Sequence, residues 1–388
     1  MMEVQDAPEA IQADPLLGSN PPPLAASVRV TRVASSQIDA TFPTATNLST
    51  SALGACAISC SDEYFASAAN LLTPTPATRR PGVYVQTGAW YDGWETRRHN
   101  SKEFDWVVIK LGYVGVVEGI EVDTAHFNGN EAPAAGLDAC FLTADQEGKS
   151  GVEKDDFGQW TEILPPQPCG PSQRQAWKVS GSVVTGKEFT HLRLKMYPDG
   201  GIARLRVYGS AVPPPLPEAT VKGDLPTEEL SSALNGGVAL SCSNQHFGVK
   251  SNLLLPGRGK DMGDGWETAR SRGKGHTDWV ICRLGLKGKI VEKVVVDTKD
   301  FRGNFPYAVK VEGWLSSIGT SSDPTAESEG WLPLIDGEKP CSADTEHLFE
   351  GRDIVQHPDH GDRTWTHVKM TIIPDGGVKR LRIFGKRE

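Results

Sequence analysis

His191-Leu192-Arg193-Leu194-Lys195-Met196-Tyr197-Pro198-Asp199-Gly200-Gly201 reads as a strand running into a turn, and it decides the fold class. Leu192, Leu194 and Met196 fall on one face of an extended chain, with His191, Arg193 and Lys195 on the other. Proline sets φ and the two glycines admit positive φ, so Pro198 to Gly201 is a turn. Leu205 and Val207 then alternate with Arg204, Arg206 and Tyr208, which predicts a hairpin. The pattern returns as Val368, Met370 and Ile372, then Pro374 to Gly377, then Leu381 and Ile383.

The rest of the chain repeats in the same order. Asp92-Gly93-Trp94-Glu95-Thr96-Arg97-Arg98 returns as Asp264-Gly265-Trp266-Glu267-Thr268-Ala269-Arg270, an offset of 264 − 92 = 172. Ser59-Cys60-Ser61 and Asn70-Leu71-Leu72 return 182 residues later, at Ser241 and Asn252. Val122-Asp123-Thr124 with Phe127, Gly129 and Asn130 returns as Val296-Asp297-Thr298 with Phe301, Gly303 and Asn304. The drop from 182 to 172 places ten extra residues in the first copy, between Pro74 and Asp92. A duplicated unit of about 170 residues is a whole domain, since solenoid repeats run at about 20–50.

Trp106 to Ile109 and Trp279 to Cys282 are apolar runs suited to strands buried on both faces. No amphipathic helix longer than two turns stands out. The expected fold class is therefore all-β: two tandem antiparallel jelly-roll β-sandwich domains from an internal duplication. The expected boundaries are a disordered N-terminal arm over 1–39, a first repeat over 40–212, a Pro-rich linker over 213–219 and a second repeat over 220–388.

Composition narrows the function classes. With 40 Lys+Arg and 49 Asp+Glu the formal net charge is −9, which argues against nucleic-acid or membrane partners. No segment reaches the roughly 18 apolar residues of a membrane span. The acidic, proline-rich N-terminus lacks the basic and apolar regions of a secretion signal. Seven cysteines without a C-x-x-C pair read as thiols of a reducing compartment, so the expected location is cytoplasmic.

The usual catalytic motifs are missing: no nucleophile elbow, P-loop or HExxH. His357 and His360 are spaced for metal ligation but sit in a polar, proline-containing stretch that reads equally as an exposed loop. The Asp-Gly-Trp-Glu-Thr block could bring Asp92, Glu95, Arg97 and Arg98 onto one surface, with Asp264, Glu267 and Arg270 as counterparts. The other reading makes Asp92 and Asp264 turn residues. Asp123 and His126 pair a carboxylate with an imidazole, which suits acid–base work or an ordinary loop bond. The hairpin arginines and Lys195 read as a solvated face. Trp94, Trp106, Trp266 and Trp279 read as core.

These blocks resemble the allantoicase family of purine catabolism. The resemblance rests on Ser61-Asp62-Glu63-Tyr64-Phe65-Ala66, Asn70-Leu71-Leu72, the Asp92 to Arg98 block, and Val122 to Thr124 with Phe127 to Asn130. In the second copy it rests on Ser243 to Gly248, Asn252 to Arg258 and Met262 to Thr268. It runs from about residue 40 to the end. Three places depart from the family pattern: Glu103-Phe104-Asp105-Trp106 without a histidine, an extra residue in His276-Thr277-Asp278-Trp279, and Asn244 in place of aspartate.

The resemblance implies galactose-binding-like jelly rolls in a homo-oligomer that hydrolyses allantoate to ureidoglycolate and urea. It implies catalytic roles for Glu95, Asp123, His126, Glu267 and Asp297. It implies substrate binding by Asp92, Arg97, Arg98, Asn130, Asp264, Arg270 and Asn304. Activation by a divalent metal, manganese, is implied for some members, with no ligand set. No covalent nucleophile is needed. The alternative is a tandem jelly-roll protein that binds carbohydrate or another small ligand without catalysis.

Overall fold

The computed structural model describes residues 27–216, 225–316, 322–357 and 363–388. Its organising feature in the first repeat is one long strand, Asp105–Asp123. Its first half pairs with Cys56–Cys60 and Glu188–Tyr197, and its second half with Arg174–Ser180 and Arg204–Ala211. The strand therefore belongs to two sheets at once. The first layer continues from Glu188–Tyr197 through Ala134–Cys140 to Thr161–Pro168. The second ends in Arg29–Val33 beside Arg174–Ser180 and Thr46–Asn47 beside Arg204–Ala211. Every one of these ladders is antiparallel, and the two layers close on one core. Leu192, Leu194 and Met196 lie in that core, fully buried, as the alternation predicts.

The second repeat is built the same way. Its long strand, Asp278–Asp297, pairs with Val238–Cys242 and Trp365–Ile373 along one half. Along the other it pairs with Glu346–Glu350 and Arg380–Arg387. Leu53 of the first repeat is buried in the second core, so the two sandwiches are packed together.

Three expectations need correction. Residues 27–39 are not a disordered arm: Arg29–Val33 is an edge strand paired residue for residue with Ala176–Ser180 of the strand Arg174–Ser180. Residues 1–26, and the linker from 217 onward, lie outside the described residues.

The expected hairpin is a crossover. Glu188–Tyr197 and Arg204–Ala211 pair with opposite halves of the long strand and not with each other. Between them Gly201–Ile202 turns aside to pair with Trp94–Glu95. Turn chemistry shows where a chain reverses, not which sheet receives the next strand.

The face bearing His191, Arg193 and Lys195 is not solvated. His191 and Lys195 are buried, and Arg193 is largely covered. Beneath that face Val108, Leu142, Val152 and Phe157 form a small apolar cluster. Val108 comes from the long strand, and Leu142, Val152 and Phe157 from the chain between Ala134–Cys140 and Thr161–Pro168, which includes the short helix Ala144–Ser150. Asp138 neutralises both cations, accepting from Arg193 at 2.7 Å and lying 2.8 Å from Lys195 Nζ.

Candidate active site

One buried phenylalanine explains why separate sequence blocks share a spacing. Phe127, fully buried, stands where the long strand enters its loop. A Cβ at Gly201 would fall 2.1 Å from its ring, and one at Gly93 2.8 Å from it. Only glycine lets the Asp92–Arg98 and Pro198–Gly201 blocks close on Phe127. Phe301 serves Gly377 and Gly265 in the same way. Trp94 locks the first block from behind: it is fully buried, and its indole N–H donates to the Asp62 carbonyl at 2.8 Å. Trp266 does the same to Asn244 at 2.9 Å.

This frame presents Glu95. Its backbone is bracketed by Ala66 on one side and Gly201 on the other. Asn130 Nδ2 donates to its carboxylate at 2.8 Å. Arg98 donates to the Gly129 carbonyl at 3.1 Å and lies 3.5 Å from the Asp199 carboxylate. Asp199 in turn accepts from the Asn100 backbone N–H at 3.0 Å. Burial pushes the Glu95 carboxyl above its ordinary value, against the Asn130 hydrogen bond and the Arg98 charge.

The second repeat holds the same set. Asn304 donates to Glu267 at 2.5 Å, Arg270 to the Gly303 carbonyl at 3.3 Å, and Asp375 accepts from Ser271 N–H at 2.7 Å. Glu, Asn, Arg and Asp thus form one acid–amide–guanidinium site in each repeat.

The other expected residues lie in separate bonding groups. Asp92 belongs to Arg204, whose guanidinium meets it at 2.8 Å, and to Thr78. Asp264 is held by Lys379 and by the Lys260 N–H. Arg97 is exposed, and the Nε–Nη2 edge of its guanidinium donates to Asp62 Oδ1. Asp123 accepts from the Ala125 N–H at 2.8 Å, and burial raises its pKa, with the Glu121 charge adding to the rise. Its counterpart Asp297 is gripped at both oxygens by Arg258, at 2.8 Å each. His126 has left-handed backbone, and its Nε2 lies 3.2 Å from the Ala77 carbonyl oxygen. Among the described residues no hydrogen bond joins Asp123 or His126 to Glu95.

Sequence reasoning missed three kinds of residue. Asp199 and Asp375 were read only as turn residues, although their block is repeated. Arg204 and Arg380, taken for a solvated face, are buried at 1% exposure each, donating to backbone carbonyls on all sides. Lys379, where the first repeat has Ala203, is fully buried between Asp264 and Asp300.

The departure at Asn244 has a local explanation. Asp62 serves both the Arg97 backbone N–H and its guanidinium. Ala269 replaces that arginine, so Asn244 need only accept the backbone N–H, at 2.9 Å, and no charge is required.

No three metal-ligating side chains converge among the described residues. His357 contacts the Pro333 carbonyl, while Asp359 and His360 lie outside the described residues. These residues do not supply a donor set for manganese, and no step below is routed through it.

Two jelly-roll sandwiches, each with an acid, an amide and an arginine at its loop end, define a duplicated small-molecule site. The family model "Allantoicase repeat" matches residues 46–212 and 228–388. The chain is 54% identical over 365 residues to the allantoicase of Neurospora crassa, covering 93% of this chain and 97% of that one. It is 46% identical over 361 residues to a probable allantoicase of Schizosaccharomyces pombe, covering 92% and 98%. The crystal structure of allantoicase from Saccharomyces cerevisiae superposes with a TM-score of 0.76 at 43% identity, covering 92% of this chain and all of that one. The chain belongs to the allantoicase family.

Proposed function

We propose that the protein hydrolyses allantoate to ureidoglycolate and urea in purine degradation. The bond from the central carbon to one ureido nitrogen breaks, and water supplies the hydroxyl that replaces it. A protonated carboxyl of the Glu95 type donates its proton to the departing nitrogen. The proton released by the attacking water returns the carboxylate to its acid form, so the balance closes without a covalent intermediate. Arg98 or Arg270 faces the substrate carboxylate as a fork of donors. Asn130 or Asn304 orients a ureido arm while holding the acid.

The observation that carries this reading is the same Glu–Asn–Arg–Asp set standing twice in a chain of the allantoicase family. Full burial of Trp94 and Trp266 removes two of the aromatic faces that a sugar platform would use. A homo-oligomer that closes the shallow sandwich sites against water belongs to the same proposal. So does a cytoplasmic location, supported by seven free thiols and by the lack, among the described residues, of a helix long and apolar enough to cross a membrane.

The test is direct: pure protein is incubated with allantoate and urea is measured, with and without manganese. Urea formed in step with ureidoglycolate is expected. No urea under either condition refutes the proposal.

A further inference from the structure

Resting on that reading, we infer that the first repeat turns the substrate over and that the second binds it without turnover. The polar set is the same in both repeats; the walls around it are not. Glu95 is 8% exposed, whereas Glu267 is only half-buried. Three substitutions and one change of exposure make the difference.

Ala66, which bridges to Glu95, is replaced by Gly248 beside Glu267. Phe65, whose backbone N–H donates to the Glu95 carbonyl, is half-buried, while its counterpart Phe247 is 68% exposed. Tyr91 stacks on Phe127 with ring centroids 4.9 Å apart, a ring that Gly263 does not supply to Phe301, although Phe301 is itself fully buried. Arg97 becomes Ala269. The first repeat also opens a cleft of about 530 Å³ beside Arg98, walled by Arg97, His99 and Lys102 with Asp62 and Asp105.

A general acid must keep its proton at working pH and meet a leaving group shielded from water. The walls that shield Glu95 act toward both ends: they exclude water and they raise its affinity for a proton. Glu267 keeps its amide and guanidinium neighbours but sits in contact with water. That arrangement suits an anion with ureido arms in its ground state and does little for its transition state.

The experiment uses the full chain with allantoate as the probe. Wild-type protein must release urea; if it does not, the proposed activity fails and not this inference. Given that activity, Glu95→Gln should lower kcat by about 100-fold or more. By calorimetry it should still bind two allantoates per chain. Adding Arg270→Ala should reduce that number to one, and Arg270→Lys repeats the test with the charge kept but the fork removed. The inference is overturned if Glu95→Gln retains more than a tenth of kcat, if it binds one allantoate, or if Glu267→Gln loses as much kcat as Glu95→Gln.

Discussion

Replacing Arg204 by methionine tests how the loop carrying Asp92 is held. The guanidinium is 1% exposed and makes five hydrogen bonds. It donates to the carbonyls of Thr75 at 2.9 Å, Asp92 at 2.9 Å, Ala203 at 2.8 Å and Pro76 at 3.4 Å, and to the Asp92 carboxylate at 2.8 Å. Methionine fills much of the stem's volume, so the loss is polar. It strands buried carbonyls and leaves Asp92 with the Thr78 N–H and hydroxyl alone. Breaking a buried ion pair from one side costs about 3–5 kcal/mol. For a unit of this size that lowers the melting temperature by about 6–20 °C.

Arg380→Met is the internal comparison. Its guanidinium reaches Asp264 only at 3.7 Å, and Lys379 continues to hold that carboxylate. It should therefore cost less, by about 1 kcal/mol or more. Urea unfolding followed by tryptophan fluorescence reads both variants. A loss below about 1 kcal/mol for Arg204→Met, or a larger loss for Arg380→Met, refutes this account.

Asp199→Asn keeps an acceptor for the Asn100 N–H but removes the charge facing Arg98, so KM for allantoate should rise several-fold with kcat nearly unchanged; a fall in kcat alone contradicts it. Burial raises the Glu95 carboxyl, so kcat should decline as pH rises through that displaced value, and a flat kcat profile would remove Glu95 as the acid. The same displacement affects stability: a carboxyl that binds its proton more tightly when folded favours the folded state below its unfolded pKa and loses that contribution as pH rises. Thermal melts should therefore show Glu95→Gln at least as stable as wild type at pH 7, with the difference shrinking below pH of about 4.5. The double change Asp62→Asn with Arg97→Ala copies the second repeat and should move the melting temperature by less than about 2 °C, whereas Asp62→Ala should cost more because the Arg97 N–H loses its acceptor.

What could be read from sequence was whatever depends on neighbours along the chain. Alternation placed Leu192, Leu194 and Met196 in the core because a strand's two faces follow from its own period. Duplication announced two like domains, and the recurrence of Glu95 with Asn130 pointed at two residues that do meet. What could not be read depends on distant partners. Whether Arg204 faces water depends on carbonyls more than 100 residues away, and its alternation with Leu205 is compatible with either outcome. Lys195 is covered by chain from the other side of the sheet. The Pro198–Gly201 turn looks the same whether the next strand joins this sheet or the facing one. The family resemblance grouped Asp123, His126 and Glu95, yet lying in neighbouring loops does not make them share a bond.

The duplication also separates scaffold from site on physical grounds. Phe127 and Phe301, Trp94 and Trp266, and Arg204 and Arg380 recur because each stabilises the frame, by filling volume or by satisfying buried carbonyls. The Glu–Asn pair has no such reason. A glutamine at position 95 would accept the Asn130 hydrogen bond equally well without the cost of burying a charge, and burial does oppose ionisation there. Both repeats nonetheless carry glutamate. A residue that makes the fold less stable than its neutral isostere would, and that appears in each copy beside the same amide and the same arginine, is held for its chemistry. On the proposal made above, that chemistry would be proton donation in the first repeat, where the walls close over the carboxyl, and recognition in the second, where they do not.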